Sequence, residues 1–165
     1  MIKVRTVSGP IPYRKKLTMA DKSYLAGFLD AKARFDARIA RYKSRSYDEI
    51  EALTVVYGNN RNVLSMLQRS FGGTITVQDR REIGGKLVYR WQVKNKADIV
   101  SMIKQILPYM KIKKKQATLL MRYCSSRLEK ISEDNPFEPI TDEEKRIVKR
   151  LIAMNKELST KVRQG

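Results

Sequence analysis

The sequence contains no histidine and only one cysteine, Cys124. These absences exclude an internal disulfide framework, a zinc site and every catalytic mechanism that depends on histidine. Carboxylates, lysines, tyrosines and hydroxyls are the groups left for chemistry. The chain also lacks an apolar run long enough to cross a bilayer, and its first ten residues lack the apolar stretch of a signal peptide. We therefore expect an intracellular protein with no membrane partner, in a compartment that the sequence does not identify.

Acidic residues are scarce relative to basic ones: 17 Asp and Glu stand against 35 Lys and Arg, which gives a net charge of +18. The basic excess lies in residues 1–45, with 12 basic and 3 acidic side chains, and in residues 95–128, with 8 and 1. Residues 129–165 balance at 8 and 8. Solubility alone does not require so large an imbalance, so the charge predicts a polyanionic partner.

The spacing of apolar residues and helix caps predicts a single α+β domain. Residues 1–17 contain Pro10 and Pro12 and are predicted to form an extended basic arm. Thr18 and Asp21 have the spacing of a capping box, so the first helix should begin there and run to about Asp30. The further predictions are strands over 34–41, 50–57, 74–80 and 86–94, a polar turn over 44–47, and helices over 60–71, 98–107, 114–130 and 141–161.

This element order is α-β-β-α-β-β-α followed by two more helices, which predicts helices on one side of an antiparallel sheet. The corresponding divisions are an arm (1–17), a core (18–130) and a C-terminal helical extension (131–165). Arginine and glutamine on the polar sheet face have the donor and acceptor geometry that suits guanine and adenine edges. A solvent-exposed sheet face would show the same alternation. The residues predicted to read bases are Arg34, Arg38, Thr76, Gln78, Arg80, Lys86, Arg90 and Gln92.

Residues 25–33 read LAGFLDAKA, which resembles the signature helix of the LAGLIDADG homing endonucleases. The resemblance covers residues 18–130 and implies a curved sheet of the α-β-β-α-β-β-α type that lies over double-stranded DNA. It also implies a homodimer joined through the signature helices, because this chain carries one signature. Small residues in that helix would allow a close approach of two backbones. The predicted dimer interface comprises Leu25, Ala26, Gly27, Leu29 and Ala31.

The chain departs from the family at the eighth signature letter, where the acid that binds the catalytic metal is replaced by Lys32. Residues 107–117 resemble the family's segment in which a lysine reaches toward the scissile phosphate, and Lys113 matches that lysine best. Lys32, Lys111, Lys113 and Lys115 are accordingly predicted to contact DNA, with a solvated lysine cluster as the alternative reading. Asp30 and Lys113 are the candidate catalytic residues, although the family uses the aspartate at the position of Asp30 to satisfy the end of the helix.

These features predict a sequence-preferring double-stranded DNA-binding protein derived from a homing endonuclease, with cleavage lost and a regulatory role as one option. No metal site and no cofactor are expected, because an ammonium at Lys32 repels the ion that a carboxylate would bind. The first alternative is an active, site-specific endonuclease that requires Mg²⁺. The second is an RNA-binding or intron-splicing protein similar to a maturase, since net charge does not distinguish the two kinds of duplex.

Overall fold

The computed structural model describes residues 2–8, 14–41, 48–131 and 138–164. These residues form five strands and five α-helices. The strands are β1 (Lys3–Ser8), β2 (Arg34–Arg41), β3 (Asp48–Gly58), β4 (Thr74–Asp79) and β5 (Leu87–Val93). The helices are α1 (Met19–Lys32), α2 (Arg61–Phe71), α3 (Lys96–Ile106), α4 (Lys114–Lys130) and α5 (Asp142–Gln164). The predicted α-β-β-α-β-β-α order with two further helices is confirmed; the polar turn predicted at 44–47 lies outside the described residues.

The strands form one antiparallel sheet in the order β1-β4-β5-β3-β2. The sequence did not predict β1, which extends the sheet beyond β4 and occupies part of the expected arm. Lys3 lies opposite Asp79 and Thr6 opposite Thr76, and the register shifts between Thr6 and Ser8. Charged residues and an irregularity are common on edge strands, where they discourage pairing with another chain. A basic, proline-containing segment therefore contains an ordered edge strand.

The hydrophobic core lies between the helices and one face of this sheet. Trp91 is fully buried there, and its Nε1 donates to the Gly72 carbonyl at 2.8 Å. Gly72 and Gly73 have φ values of 83° and 82°, so the chain can end α2 and enter β4 directly because both residues are glycine. The rest of the core includes Leu25, Leu29, Phe35, Val56, Leu64, Leu67, Ile75, Ile99, Ile103 and Leu120.

Helix α5 packs against α4 and against the edge strand β2. Its Asn155 Nδ2 donates to the Phe35 carbonyl at 2.8 Å, so α5 covers part of a strand edge that would otherwise be unpaired. The start of the helix is fixed by the buried Glu144 carboxylate, which binds Arg127 at 3.4 Å and accepts from the Ser126 hydroxyl at 2.9 Å. Among the described residues, none of the helices combines the length and the apolar character required for a membrane span.

Candidate nucleic-acid interface

The sheet face opposite the core collects most of the side chains predicted to read bases. In an antiparallel sheet, residues directly opposite each other point to the same face. Arg90 lies opposite both Thr76 and Tyr57, and Gln92 lies opposite both Thr74 and Val55. Arg34 is paired with Val55 on the other side of β3. The register therefore unites β2, β3, β4 and β5 into one continuous polar face.

A cavity of about 460 Å³ opens on this face, and three arginines line it: Arg34, Arg38 and Arg90. Tyr57 lines it too and is 51% exposed, with the Arg90 guanidinium 5.7 Å from the centre of its ring. This distance permits a cation–π interaction that orients the arginine. Sequence reasoning missed Tyr57 because the facing of β3 was unresolved. Tyr57 alternates with Leu53 and Val55 along β3, and this pattern could have placed all three on one face.

The remaining residues predicted to read bases differ in the hydrogen bonds that they make within the chain. Arg80 donates from Nη2 to Gln78 Oε1 at 2.8 Å, so these two form a pair at the hairpin end of the sheet, near the exposed Lys86. In contrast, Arg90 Nε and Gln92 Oε1 are buried atoms with no hydrogen-bond partner among the described residues. Buried polar atoms are normally satisfied. Arg90 Nε can therefore donate to a group from outside the chain, and Gln92 Oε1 can accept from one.

Both carboxylate oxygens of Asp30 accept hydrogen bonds from the chain itself. Its Oδ2 accepts from the backbone N–H groups of Lys111 at 2.7 Å and Ile112 at 2.8 Å, and its Oδ1 accepts from that of Lys113 at 2.7 Å. Burial by itself would raise the pKa of the Asp30 carboxyl, but these three hydrogen bonds and the charge on Lys113 lower it overall. The carboxylate thus fixes the turn that precedes α4, as an anion near a helix N-terminus does.

The ammonium of Lys113 caps the C-terminal end of α1. It donates to the carbonyls of Ala33 at 2.7 Å and Ala31 at 3.2 Å, which are among the unpaired acceptors at a helix end. Burial lowers the pKa of Lys113, the charge on Asp30 opposes that shift, and the charge on Lys32 adds to it. One proton of the three remains for an external acceptor. Lys32 itself is exposed, and so are Lys111 and Lys115.

The five residues predicted to form a dimer interface divide into two groups. Leu25, Ala26 and Leu29 are completely buried in the core of the single chain, and their assignment to a dimer interface stays a prediction. The helical period places these three positions on one face of α1, and tertiary packing sets that face against the core. Gly27 and Ala31 are exposed, and a Cβ atom built on Gly27 would meet nothing within 4 Å.

The residues near Lys32 do not fit a catalytic metal ion. Magnesium is held by carboxylate and carbonyl oxygens, yet both oxygens of Asp30 accept backbone hydrogen bonds. Asp36 is buried and pairs with Arg34 at 3.0 Å, and its Oδ1 accepts from its neighbour's backbone N–H. No group of three or more Asp, Glu, Cys or His side chains within the described ranges could hold a metal.

No family model matches the sequence, and no curated protein matches it. Several solved structures are similar to it. The homing endonuclease I-CvuI, in complex with the I-CreI target, has a TM-score of 0.54 at 17% identity, over 80% of this chain and 94% of that chain. The archaeal intron-encoded homing endonuclease I-Vdi141I, complexed with DNA, has a TM-score of 0.54 at 16% identity, over 81% and 96%. The I-SmaMI LAGLIDADG homing endonuclease, bound to cleaved DNA, has a TM-score of 0.58 at 19% identity, over 86% and 46%. This protein therefore has the fold of the LAGLIDADG homing endonucleases.

Proposed function

We propose that the protein is a double-stranded DNA-binding homodimer that prefers particular sequences and does not cleave them. The observation that carries this proposal is the polar sheet face, where Arg34, Arg38, Arg90 and Tyr57 line an open cavity and Gln92 lies on the same face, opposite Val55. The similar structures of I-CvuI and I-Vdi141I are complexes with a target and with DNA. A two-stranded ribbon fits the major groove, where bidentate Arg and Gln contacts distinguish base pairs.

Phosphate contacts would come from lysines at one end of α1 and at the start of α4. Lys32, Lys111 and Lys115 are exposed there, and Lys113 has one proton to donate. Such contacts position a protein on the duplex without reading sequence. The net charge of +18 supports a strong, salt-dependent attraction to any duplex.

The loss of cleavage is proposed from the residues that replace a metal site. Lys32 stands at the signature position where the resemblance implies a metal-binding acid, and the nearest carboxylate, Asp30, is committed to three backbone N–H groups. An ammonium at Lys32 would attract a phosphate and repel Mg²⁺. Binding would then persist without hydrolysis, and the protein could act as a regulator.

A homodimer is proposed because the chain matches nearly all of I-CvuI and I-Vdi141I but less than half of I-SmaMI. The exposed surface of α1 includes Gly27 and Ala31, separated by about one turn, and neither side chain would obstruct a second helix. Met19 and Tyr24 on the same helix are apolar and exposed at 74% and 53%. Such residues gain from burial against a partner.

Enrichment of bound duplexes from a random library, followed by sequencing, is the direct test. The proposal predicts a pseudo-palindromic site of about two helical turns, as expected for a two-fold protein. The enriched duplex should be retained by the wild-type protein in Mg²⁺ or Mn²⁺ without being cut. Specific double-strand breaks would instead establish the endonuclease alternative, and preferential binding of a matched RNA duplex would favour the splicing alternative.

The variant Lys32→Asp provides a matched test of the metal argument. It should create measurable Mg²⁺ binding before it restores cleavage, because the family resemblance also implies polar side chains that organise water at the end of β3, where this chain has Val56 and Tyr57. Lys111→Asp serves as the control, since it makes the same charge change at a nearby exposed position. Equal effects of the two substitutions on Mg²⁺ binding would show that Lys32 has no special relation to a metal position.

A further inference from the structure

A second cavity, of about 570 Å³, lies where the end of α1 and the start of β2 meet α5. Most of its lining surface is apolar and includes Ala31, Ala33, Phe35, Ile112 and Leu158, and polar side chains of α1, β2, α4 and α5 complete the wall. Pockets for small organic ligands typically have volumes of about 300–1,000 Å³ and a similar apolar lining with a few polar groups. The wall contributed by Leu158 and its neighbours on α5 has no role in the proposed reading of DNA.

One polar group in this wall is Gln116 on α4, which is only 4% exposed. Its Oε1 is buried and has no hydrogen-bond partner among the described residues. Gln68 is buried to the same degree, at 2% exposed, but its Nε2 donates to the Gly73 carbonyl at 3.1 Å. A buried oxygen without a partner destabilises the fold. A glutamine at position 116 is therefore best explained by a donor that enters the cavity from outside the chain.

The charges around the cavity favour an anion. Lys32 and Arg34 line it and are exposed, so they stand on its solvent side. Asp30 is the acidic residue in the lining, and its oxygens are occupied by backbone N–H groups. Arg34 is partly neutralised by Asp36 at 3.0 Å. Lys113 lines the cavity too, but its ammonium donates to the Ala31 and Ala33 carbonyls and lies beside the Asp30 charge, so Lys32 supplies the main uncompensated charge for a ligand.

We propose that this cavity binds an amphipathic organic anion, with a flat apolar body, an N–H or O–H donor and one anionic group. The apolar body lies against Phe35 and Leu158, the donor reaches Gln116 Oε1, and the anionic group faces Lys32. The sugar–phosphate backbone of DNA fits this cavity less well, because apolar walls offer it no hydrogen bonds. Lys32 and Arg34 also belong to the candidate nucleic-acid interface, so the organic anion and DNA should compete for the protein. This expectation of competition rests on the proposed function.

The test is isothermal titration calorimetry with 8-anilinonaphthalene-1-sulfonate, which combines an aromatic body, an N–H group and a sulfonate. Wild-type protein should bind one molecule per chain. Gln116→Leu should weaken binding by about tenfold, the equivalent of one hydrogen bond, and Leu158→Trp should abolish binding by filling the cavity. Gln105→Leu is the matched control, because Gln105 lies on α3 and its amide donates to the Ser101 carbonyl at 3.4 Å.

Thermal melting of each variant separates ligand contacts from folding. Gln116→Leu should melt no lower than wild type, because it removes a buried group that has no partner. Binding of several dye molecules per chain, or binding that persists in Leu158→Trp, would overturn the proposal. A wild-type protein that does not bind the dye would also overturn it. If Leu158→Trp then weakened DNA binding, the cavity would belong to the DNA contact surface. Stoichiometric dye binding by a protein that fails to bind any duplex would support the cavity and contradict only the proposed function.

Discussion

Replacing Asp30 by asparagine tests whether this carboxylate is structural or catalytic. Wild-type Asp30 is 5% exposed and accepts three backbone hydrogen bonds of 2.7–2.8 Å from residues 111–113. Asparagine has nearly the same shape but carries one acceptor oxygen and one donor NH₂ group. In the variant, at least one backbone N–H would face another donor, and the negative charge beside Lys113 would be lost.

The expected cost follows from these contacts. A hydrogen bond to a charged group contributes about 1.5–3 kcal/mol, and a buried donor left without an acceptor costs about 1–3 kcal/mol. Asp30→Asn should therefore destabilise the fold by about 2–4 kcal/mol. For a chain of this size each kcal/mol shifts the melting temperature by about 2–4 °C, so a fall of roughly 5–15 °C is expected. Asp30→Ala, which removes all three acceptor contacts, should cost at least as much.

Urea denaturation and thermal melting at pH 7 measure the effect, with Glu157→Gln as the control. Glu157 is an exposed carboxylate on α5, and its conversion to an amide should change stability by less than about 0.5 kcal/mol. An Asp30→Asn protein as stable as wild type would refute the structural role. If that stable variant had also lost a cleavage activity of the wild type, Asp30 would have to be assigned to catalysis.

The stabilisation by Asp30 should depend on pH in one direction. Burial raises the pKa of this carboxyl, and the hydrogen bonds from residues 111–113 lower it by more, so the folded-state pKa lies below the ordinary value of 3.8. A group whose pKa is depressed on folding stabilises the protein above its unfolded pKa and loses that effect as the pH falls through the folded value. The stability gap between wild type and Asp30→Asn should be constant from pH 6 to 8 and should shrink below about pH 4.

Four further predictions concern DNA binding and assembly. Gly27→Leu should leave the monomer folded, because a Cβ atom at this position meets nothing within 4 Å, but it should abolish dimers in analytical ultracentrifugation. The control Ser101→Leu, at an exposed site on α3, should remain dimeric. A dimeric Gly27→Leu protein would exclude this interface. Lys32→Ala should reduce the slope of log affinity against log salt by roughly 2 per dimer, while EDTA should leave wild-type affinity unchanged. Arg90→Ala should cost about 1–3 kcal/mol of discrimination at one base pair; equal weakening on every duplex would assign Arg90 to the backbone instead.

Much of the fold followed from local patterns in the sequence. The capping box is present as predicted: the Thr18 side chain accepts from the Asp21 backbone, and the Asp21 side chain accepts from that of Thr18. Such caps are readable because both partners lie within one turn. Alternation along β2 and β4 also predicted which residues face the core, with Asp36 as an instructive case. Alternation with Arg34 and Arg38 accounts for its place on the polar side of the sheet, but its burial against α5 depends on a residue far along the chain, Asn155.

The sequence by itself determined the element order from α1 onward, the excess of positive charge and the departure from the signature at Lys32. Each of these is a property of single residues or of neighbours a few positions apart. Tertiary structure alone decided that Leu25 and Leu29 are buried in their own chain, that Asp30 binds residues 111–113, and that Tyr57 shares a face with Arg90. Those outcomes depend on strand register and on contacts across some 80 positions of sequence, which no local pattern encodes because packing selects them only when the whole core forms.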